Sequence, residues 1–314
     1  MTSKLANSRL ATGAFGALAA LGWTGPAMAA ACATVSISPG TPTIPAWNPI
    51  NPAAQEVTFT ATVTRLSTSS KSVALIFLDS NSSVAPVRIG NTLGPRYQII
   101  NTDTGTLISF PSGTQVSALR VPNSKFTDEI GPVVINLKVV IPANVTPADD
   151  FVGGTTYTET LNYAVQCFKS NGNPNGSDGP VASGLTLSLI IPKLVSIITA
   201  TPATINFGNF SATTQQAQIG VKSTSTLNVA VTTTNIGKMV RTGAALPPPV
   251  NSYIAYSMKF NGTTVTPGST LTNQTRAGVL GSNYPLLLTL IDTPSGKLAG
   301  TYSDTITLTI TPGQ

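Results

Sequence analysis

The chain has no histidine, two cysteines, four methionines, and only 9% charged and 6% aromatic residues in a length of 314. Without histidine there is no imidazole acid–base catalysis, no Ser-His-Asp or Cys-His nucleophile and no His-ligated zinc. Adjacent carboxylates occur only at Asp128-Glu129 and Asp149-Asp150. Neighbours on an extended chain point to opposite faces, so neither pair is a ready acid–base couple. Residues 32–314 contain no Walker loop, dinucleotide fingerprint or Gly-x-Ser-x-Gly elbow. The stretch from Asn173 to Gly179 is loosely like a calcium loop, but one carboxylate, Asp178, supplies too little charge. The chain reads as a non-enzyme with no cofactor and no metal site.

Threonine fills the space left by charge, with 47 residues, alongside 27 Gly and 24 Pro. Abundant β-branched, weakly polar residues favour half-buried strands. The run Val57-Thr-Phe59-Thr-Ala61-Thr-Val63-Thr alternates with period two, which predicts a strand with its odd positions inward. The same pattern predicts strands at 133–141, 157–167, 185–191, 227–231 and 306–310, and the apolar run 73–78 suits a strand buried on both faces. Gly, Pro and Asn clusters separate these runs, and no stretch sustains a helical period. The fold class is therefore all-β, as antiparallel Greek-key sandwiches. The Asn-, Gly- and Ser-rich stretch 169–184 reads as a long hairpin loop.

Residues 1–31 read as a secretory signal: Lys4 and Arg9 precede an apolar segment from Leu10 to Trp23, and Gly25-Pro26 precedes Ala27-Met28-Ala29. Export makes a Cys32–Cys167 disulfide the one intrachain pairing available. The rival, an acylated Cys32, is weakened because Ala29 stands where a lipobox has leucine. Residues 32–192 carry 8 basic and 9 acidic groups, whereas 193–314 carry 7 and 2, so the second half is basic. Its cations are scattered singly without aromatic interleaving, which argues against a nucleic-acid partner. The division placed near residue 193 gives a signal peptide (1–31), an N-terminal domain (32–192) and a C-terminal domain (193–314).

Two segments carry a resemblance. The stretch Ala299-Gly-Thr-Tyr302-Ser-Asp304-Thr-Ile306-Thr-Leu308-Thr-Ile310-Thr-Pro312 resembles the closing strand of spore coat U-type pilin domains of archaic, Csu-type chaperone–usher pili. The stretch Ile205-Asn-Phe207-Gly-Asn-Phe210 is similar to the segment that opens such domains. Residues 32–192 look like the N-terminal domain of two-domain tip subunits from these systems. The second half has no cysteine, unlike many pilins of the family.

The resemblance implies an immunoglobulin-like pilin domain lacking its last strand, completed by a donor strand from an adjacent pilin. A periplasmic chaperone and an outer-membrane usher are the implied assembly partners. The groove would be lined by Phe207, Tyr302, Ile306, Leu308 and Ile310. Ordinary pilins begin with a donor extension, whereas here Cys32 arrives almost at once after the expected cleavage, which implies a tip position at the cell surface. Attachment to a host or abiotic surface, and biofilm formation, would then use apolar loops of the N-terminal domain, with Ile44, Trp47, Ile50, Leu119, Val121, Val145, Phe151 and Val152 as candidate contacts. An outer-membrane barrel fits poorly because aromatics are scarce. The alternative is a secreted β-sandwich binding carbohydrate or another surface, unrelated to pili.

Overall fold

The computed structural model describes residues 32–79, 88–90, 94–108, 119–122, 131–145, 151–177, 181–199 and 203–314. The Asp128-Glu129 and Asp149-Asp150 pairs, Asp178 and the signal segment lie outside them. The described chain is nearly all β and forms two sandwiches in succession.

The first sandwich uses β1 (Ala33–Ser38), β2 (Thr43–Ile44), β3 (Gln55–Arg65), β4 (Ser72–Asp79), β5 (Gln98–Asn101), β6 (Leu107–Ile108), β7 (Leu119–Pro122), β8 (Pro132–Ile141), β9 (Thr155–Phe168), β10 (Pro174–Ser177) and β11 (Val181–Ile191). One sheet has the order β1-β3-β8-β5-β6, and the other β2-β11-β9-β4-β7, with β10 beside β9. From β3 to β9 the long strands alternate between the two sheets (β3, β5 and β8 in one, β4, β7 and β9 in the other), so those connections cross between layers in Greek-key fashion. Alternation explains the packing. In β3, Phe59, Ala61 and Val63 are buried while the intervening threonines face outward. In β4, which lies between β9 and β7 in its sheet, Val73, Ala74 and Leu75 are all buried, as the continuous apolar run predicts. The stretch 169–184, expected as a long hairpin loop, also contains β10, paired with β9, and the first residues of β11; β9 and β11 pair antiparallel, Thr155 opposite Ile191.

The second sandwich uses β12 (Val195–Ile197), β13 (Thr214–Ser223), β14 (Leu227–Thr233), β15 (Lys238–Arg241), β16 (Tyr253–Phe260), β17 (Thr263–Val265), β18 (Thr270–Gln274), β19 (Gly278–Leu290), β20 (Tyr302–Ser303) and β21 (Ile306–Pro312). One sheet runs β12-β13-β19-β16-β15-β20 with β17 on β16, and the other is β18-β14-β21. Each sandwich has its own apolar core. Among the described residues none of these sheets closes on itself, unlike a barrel.

Strand direction assigns the described turns of the first sandwich to its two poles. The Cys32–Cys167 disulfide ties the start of β1 to the end of β9. Beside it lie the turns after β3 and β9, where Leu66 N–H donates to the Cys32 carbonyl and Lys71 N–H to the Phe168 carbonyl. The opposite pole, where β11 ends at Ile191, leads directly into β12 of the second sandwich.

Candidate functional site

The outer edge of β21 is the candidate site. On one side β21 pairs antiparallel with β14, placing Ile306, Leu308 and Ile310 opposite Thr233, Val231 and Val229. Among the described residues no strand pairs its other side. β12 approaches β21 without a hydrogen-bonded ladder between them. The unpaired edge shows in the burial. Leu227, Val229 and Val231 on β14 are fully sealed, whereas Ile306 and Leu308, one strand further out, are only half-buried. Ile310 is 8% exposed. Ile205 and Phe210 are half-buried against the same core. Water therefore reaches this apolar layer from the free edge of β21, and a row of free backbone groups beside apolar side chains is a template for strand addition.

The two resembling segments meet here. The Tyr302 ring stands edge-on to Phe210, with centroids 5.9 Å apart at 84°, and Phe210 stacks on Phe207 at 6.5 Å. Phe207 is 6% exposed. The segment is bent by two Asx turns, in which Gly208 N–H donates to Asn206 Oδ1 at 2.7 Å and Ser211 N–H to Asn209 Oδ1 at 3.2 Å. Gly208 has φ 57° and Phe210 φ 62°; the latter is an uncommon conformation for a bulky residue. Phe210 was not singled out from the sequence, although the repeated Asn-x-Gly and Asn-x-Ser spacing marks the turns that place it.

In the closing segment, Gly300 adopts φ 150°, and a Cβ there would press on the Arg241 side chain at 3.0 Å. Tyr302 Oη donates to the Leu298 carbonyl. Asp304 accepts the Asn235 N–H at 3.0 Å, the Thr305 N–H at 2.8 Å and the Tyr256 hydroxyl at 2.7 Å. Burial, and then the Asp304 hydrogen bond, hold the Tyr256 hydroxyl protonated far above the usual tyrosine range. Gly-x-Tyr-x-Asp is thus the corner by which the chain leaves one sheet at β20 and enters the other at β21.

The other acid of this half, Asp292, also fixes a loop. It accepts the Ala255 N–H at 3.0 Å and pairs with Lys297 at 3.0 Å. The Ala255 N–H first, and then Lys297, hold its carboxyl below the ordinary value of 3.8. A lowered folded-state pKa means that this stabilisation is complete above about pH 4 and is lost as pH falls through the lowered value. Asp292→Asn is therefore expected to reduce the acid sensitivity of the second sandwich, measured as a smaller fall in urea midpoint between about pH 5 and 2.

The loop residues proposed from sequence as surface contacts fall elsewhere. Ile44 and Phe151 are core residues, and Trp47 is 1% exposed. The Trp47 ring meets Phe151 edge-on at 5.2 Å, and its Nε1–H donates to the Ala53 carbonyl at 3.1 Å. Ile50 and Val145 are half-buried. Among the candidates with described side chains, Val152, at 45%, is the exposed one. Moreover, Trp47 N–H donates to the Ile190 carbonyl and Gly153 N–H to the Thr224 carbonyl, so these loops occupy the pole abutting the second sandwich, not the far pole. Apolar loop side chains have tucked under their own loops, which removes Ile44, Trp47 and Phe151 as contacts. The side chains of Leu119 and Val121, on β7, lie outside the described residues.

No family model and no curated protein matches the chain. Among solved structures it is similar to a chain of the chaperone–tip subunit pre-assembly complex from the archaic chaperone–usher Csu pili of Acinetobacter baumannii: 14% identity, TM-score 0.39, 88% of this chain and 99% of the other. It is also similar to a chaperone–tip adhesin complex of CFA/I fimbriae biogenesis: 13% identity, TM-score 0.36, 87% and 95% covered. A third is the CupB6 tip adhesin from Pseudomonas aeruginosa: 11% identity, TM-score 0.36, 88% and 94% covered. A likeness this distant transfers no residue role.

Proposed function

We propose that this chain is an exported tip subunit of a chaperone–usher pilus. Residues 193–314 act as an incomplete pilin domain that accepts a donor strand along the outer edge of β21, and residues 32–192 act as the outward-facing domain that mediates attachment and biofilm formation. The carrying observation is the unpaired edge of β21 beside half-buried Ile306 and Leu308. It agrees with the resemblance of the two segments that meet at Phe210 and Tyr302. A donor strand placing three or four apolar side chains against this layer gains about 1.5–3 kcal/mol for each, besides its ladder hydrogen bonds.

The first strand supports the placement at a tip. β1 pairs along its whole length with β3, from Ala33 opposite Arg65 to Ser38 opposite Thr60, and Cys32 is tied to Cys167. That segment serves its own sandwich and is not free to serve a neighbour's. In this reading a periplasmic chaperone covers the β21 edge until the usher exchanges it for a pilin's donor strand. Attachment falls to the far pole, around the turns after β3 and β9, where the disulfide limits movement.

The test is the periplasmic yield of the exported chain with and without its native chaperone. The expected result is aggregation or degradation alone and a soluble one-to-one complex with the chaperone. A monomer that unfolds cooperatively without the chaperone would overturn the reading and favour a secreted binding module.

A further inference from the structure

The connection between the sandwiches is short, Pro192–Leu194, and the Pro192 carbonyl and both backbone polar groups of Leu194 are engaged. Thr224, 0% exposed, lies at its centre. The Thr224 hydroxyl accepts the Leu194 N–H at 2.8 Å and donates to the Pro192 carbonyl at 2.8 Å, while its own N–H reaches the Leu194 carbonyl at 3.1 Å. From the first sandwich, Gly153 N–H donates to the Thr224 carbonyl and Gly154 N–H to the Ile191 carbonyl, both at 2.7 Å. A Cβ on Gly153 would collide with the Thr224 hydroxyl, the Pro192 carbonyl and the Lys193 backbone, so only glycine allows this approach. Arg276 donates to the Phe151 carbonyl at 2.7 Å. Val279, on β19 of the second sandwich, is buried within the core of the first.

A flexible linker keeps its backbone hydrated and its neighbours apart. Here backbone and side-chain groups cross the connection from both sides and one apolar side chain is shared, which is how a fixed interface is built. We infer that this junction is a locked joint that makes the two sandwiches one rigid body. It is also continuous with the last strand. Two residues beyond Thr224, the Thr226 carbonyl accepts the Gly313 N–H at 2.7 Å and the Thr226 hydroxyl donates to the Gln314 carbonyl at 2.9 Å. A pull applied along β21 therefore passes through the 223–226 segment into the first sandwich without a loose link. The inference stands on the junction alone and does not need the donor-strand reading.

Trypsin reports the joint directly, because Lys193 is exposed while the bond that follows it is held by the Thr224 contacts. In the full exported chain, cleavage after Lys193 is expected to be slow, and Gly153→Leu is expected to make it at least about tenfold faster. Thr224→Ser, which keeps the hydroxyl, should retain the protection. Cleavage after Lys259, inside β16, must stay absent, which separates an opened joint from an unfolded sandwich. If Gly153→Leu fails to fold, the near-isosteric Thr224→Val removes the hydroxyl and should expose Lys193 in the same way. Rapid cutting at Lys193 in the unaltered chain, or no acceleration in a folded Gly153→Leu or Thr224→Val, would overturn the inference.

Discussion

Aspartate in place of Leu308 is expected to abolish incorporation of the subunit into surface fibres while leaving the first sandwich folded. Leu308 lies at the middle of the apolar row on β21, half-buried and directly opposite Val231. An inserted donor strand would close over it and strip its water. A carboxylate there would have to be desolvated without a partner, which costs several kcal/mol or forces its protonation. That cost falls on the completed sandwich more than on the open one, where the side chain still reaches water. The effect should appear as a loss of sheared, surface-derived subunit by immunoblot, with the periplasmic chaperone complex weakened as well. Thr309→Asp is the matched control, because Thr309 is exposed on the opposite face of the same strand. Equal loss from both substitutions would mean that the edge of β21 tolerates no charge for reasons unrelated to a groove, and the strand-accepting reading would fail.

The first sandwich and the position of the β21 edge could be read from the chain to different depths, for physical reasons. Strand existence was legible wherever one face is dry and the other wet, because the period of two is then written directly into residues such as Phe59, Ala61 and Val63 between threonines. The Gly300-x-Tyr302-x-Asp304 corner was visible as a motif, but not its purpose. Only the fold shows that Asp304 gathers donors from two distant segments, at Asn235 and Tyr256, and that Tyr302 reaches Phe210, some ninety residues away in sequence.

The poles were not legible. Which end of a sandwich a loop occupies depends on strand direction after each crossing between sheets, and composition carries no record of it. Trp47 and Phe151 each looked like exposed apolar loop residues, yet they belong to loops that converge on the same end and bury one another. Thr224 and Gly153 gave no signal at all, since a threonine in a Ser/Thr run and a glycine in a Gly-Gly pair are ordinary until the backbone brings them together.

Trp47 also provides the most demanding stability test. Trp47→Ala is expected to cost about 3–5 kcal/mol, the usual price of truncating a large buried aromatic, and to lower the urea midpoint of the first sandwich accordingly. Three losses combine at this site. The ring's apolar surface leaves a cavity beside Phe151, the edge-on contact disappears, and the Ala53 carbonyl loses the Nε1 donor that satisfied it. Trp47→Phe keeps most of the volume and should recover more than half of the loss, but not the hydrogen bond. A surface-contact residue would behave in the opposite way: Trp47→Ala would leave the urea midpoint unchanged and reduce attachment alone. Because Trp47 sits at the pole next to the joint, its truncation should also loosen the 151–154 segment that carries Gly153, so Lys193 cleavage should accelerate in parallel with the drop in stability. An unchanged midpoint together with lost attachment would return Trp47 to the surface and require a different path for the 44–50 loop.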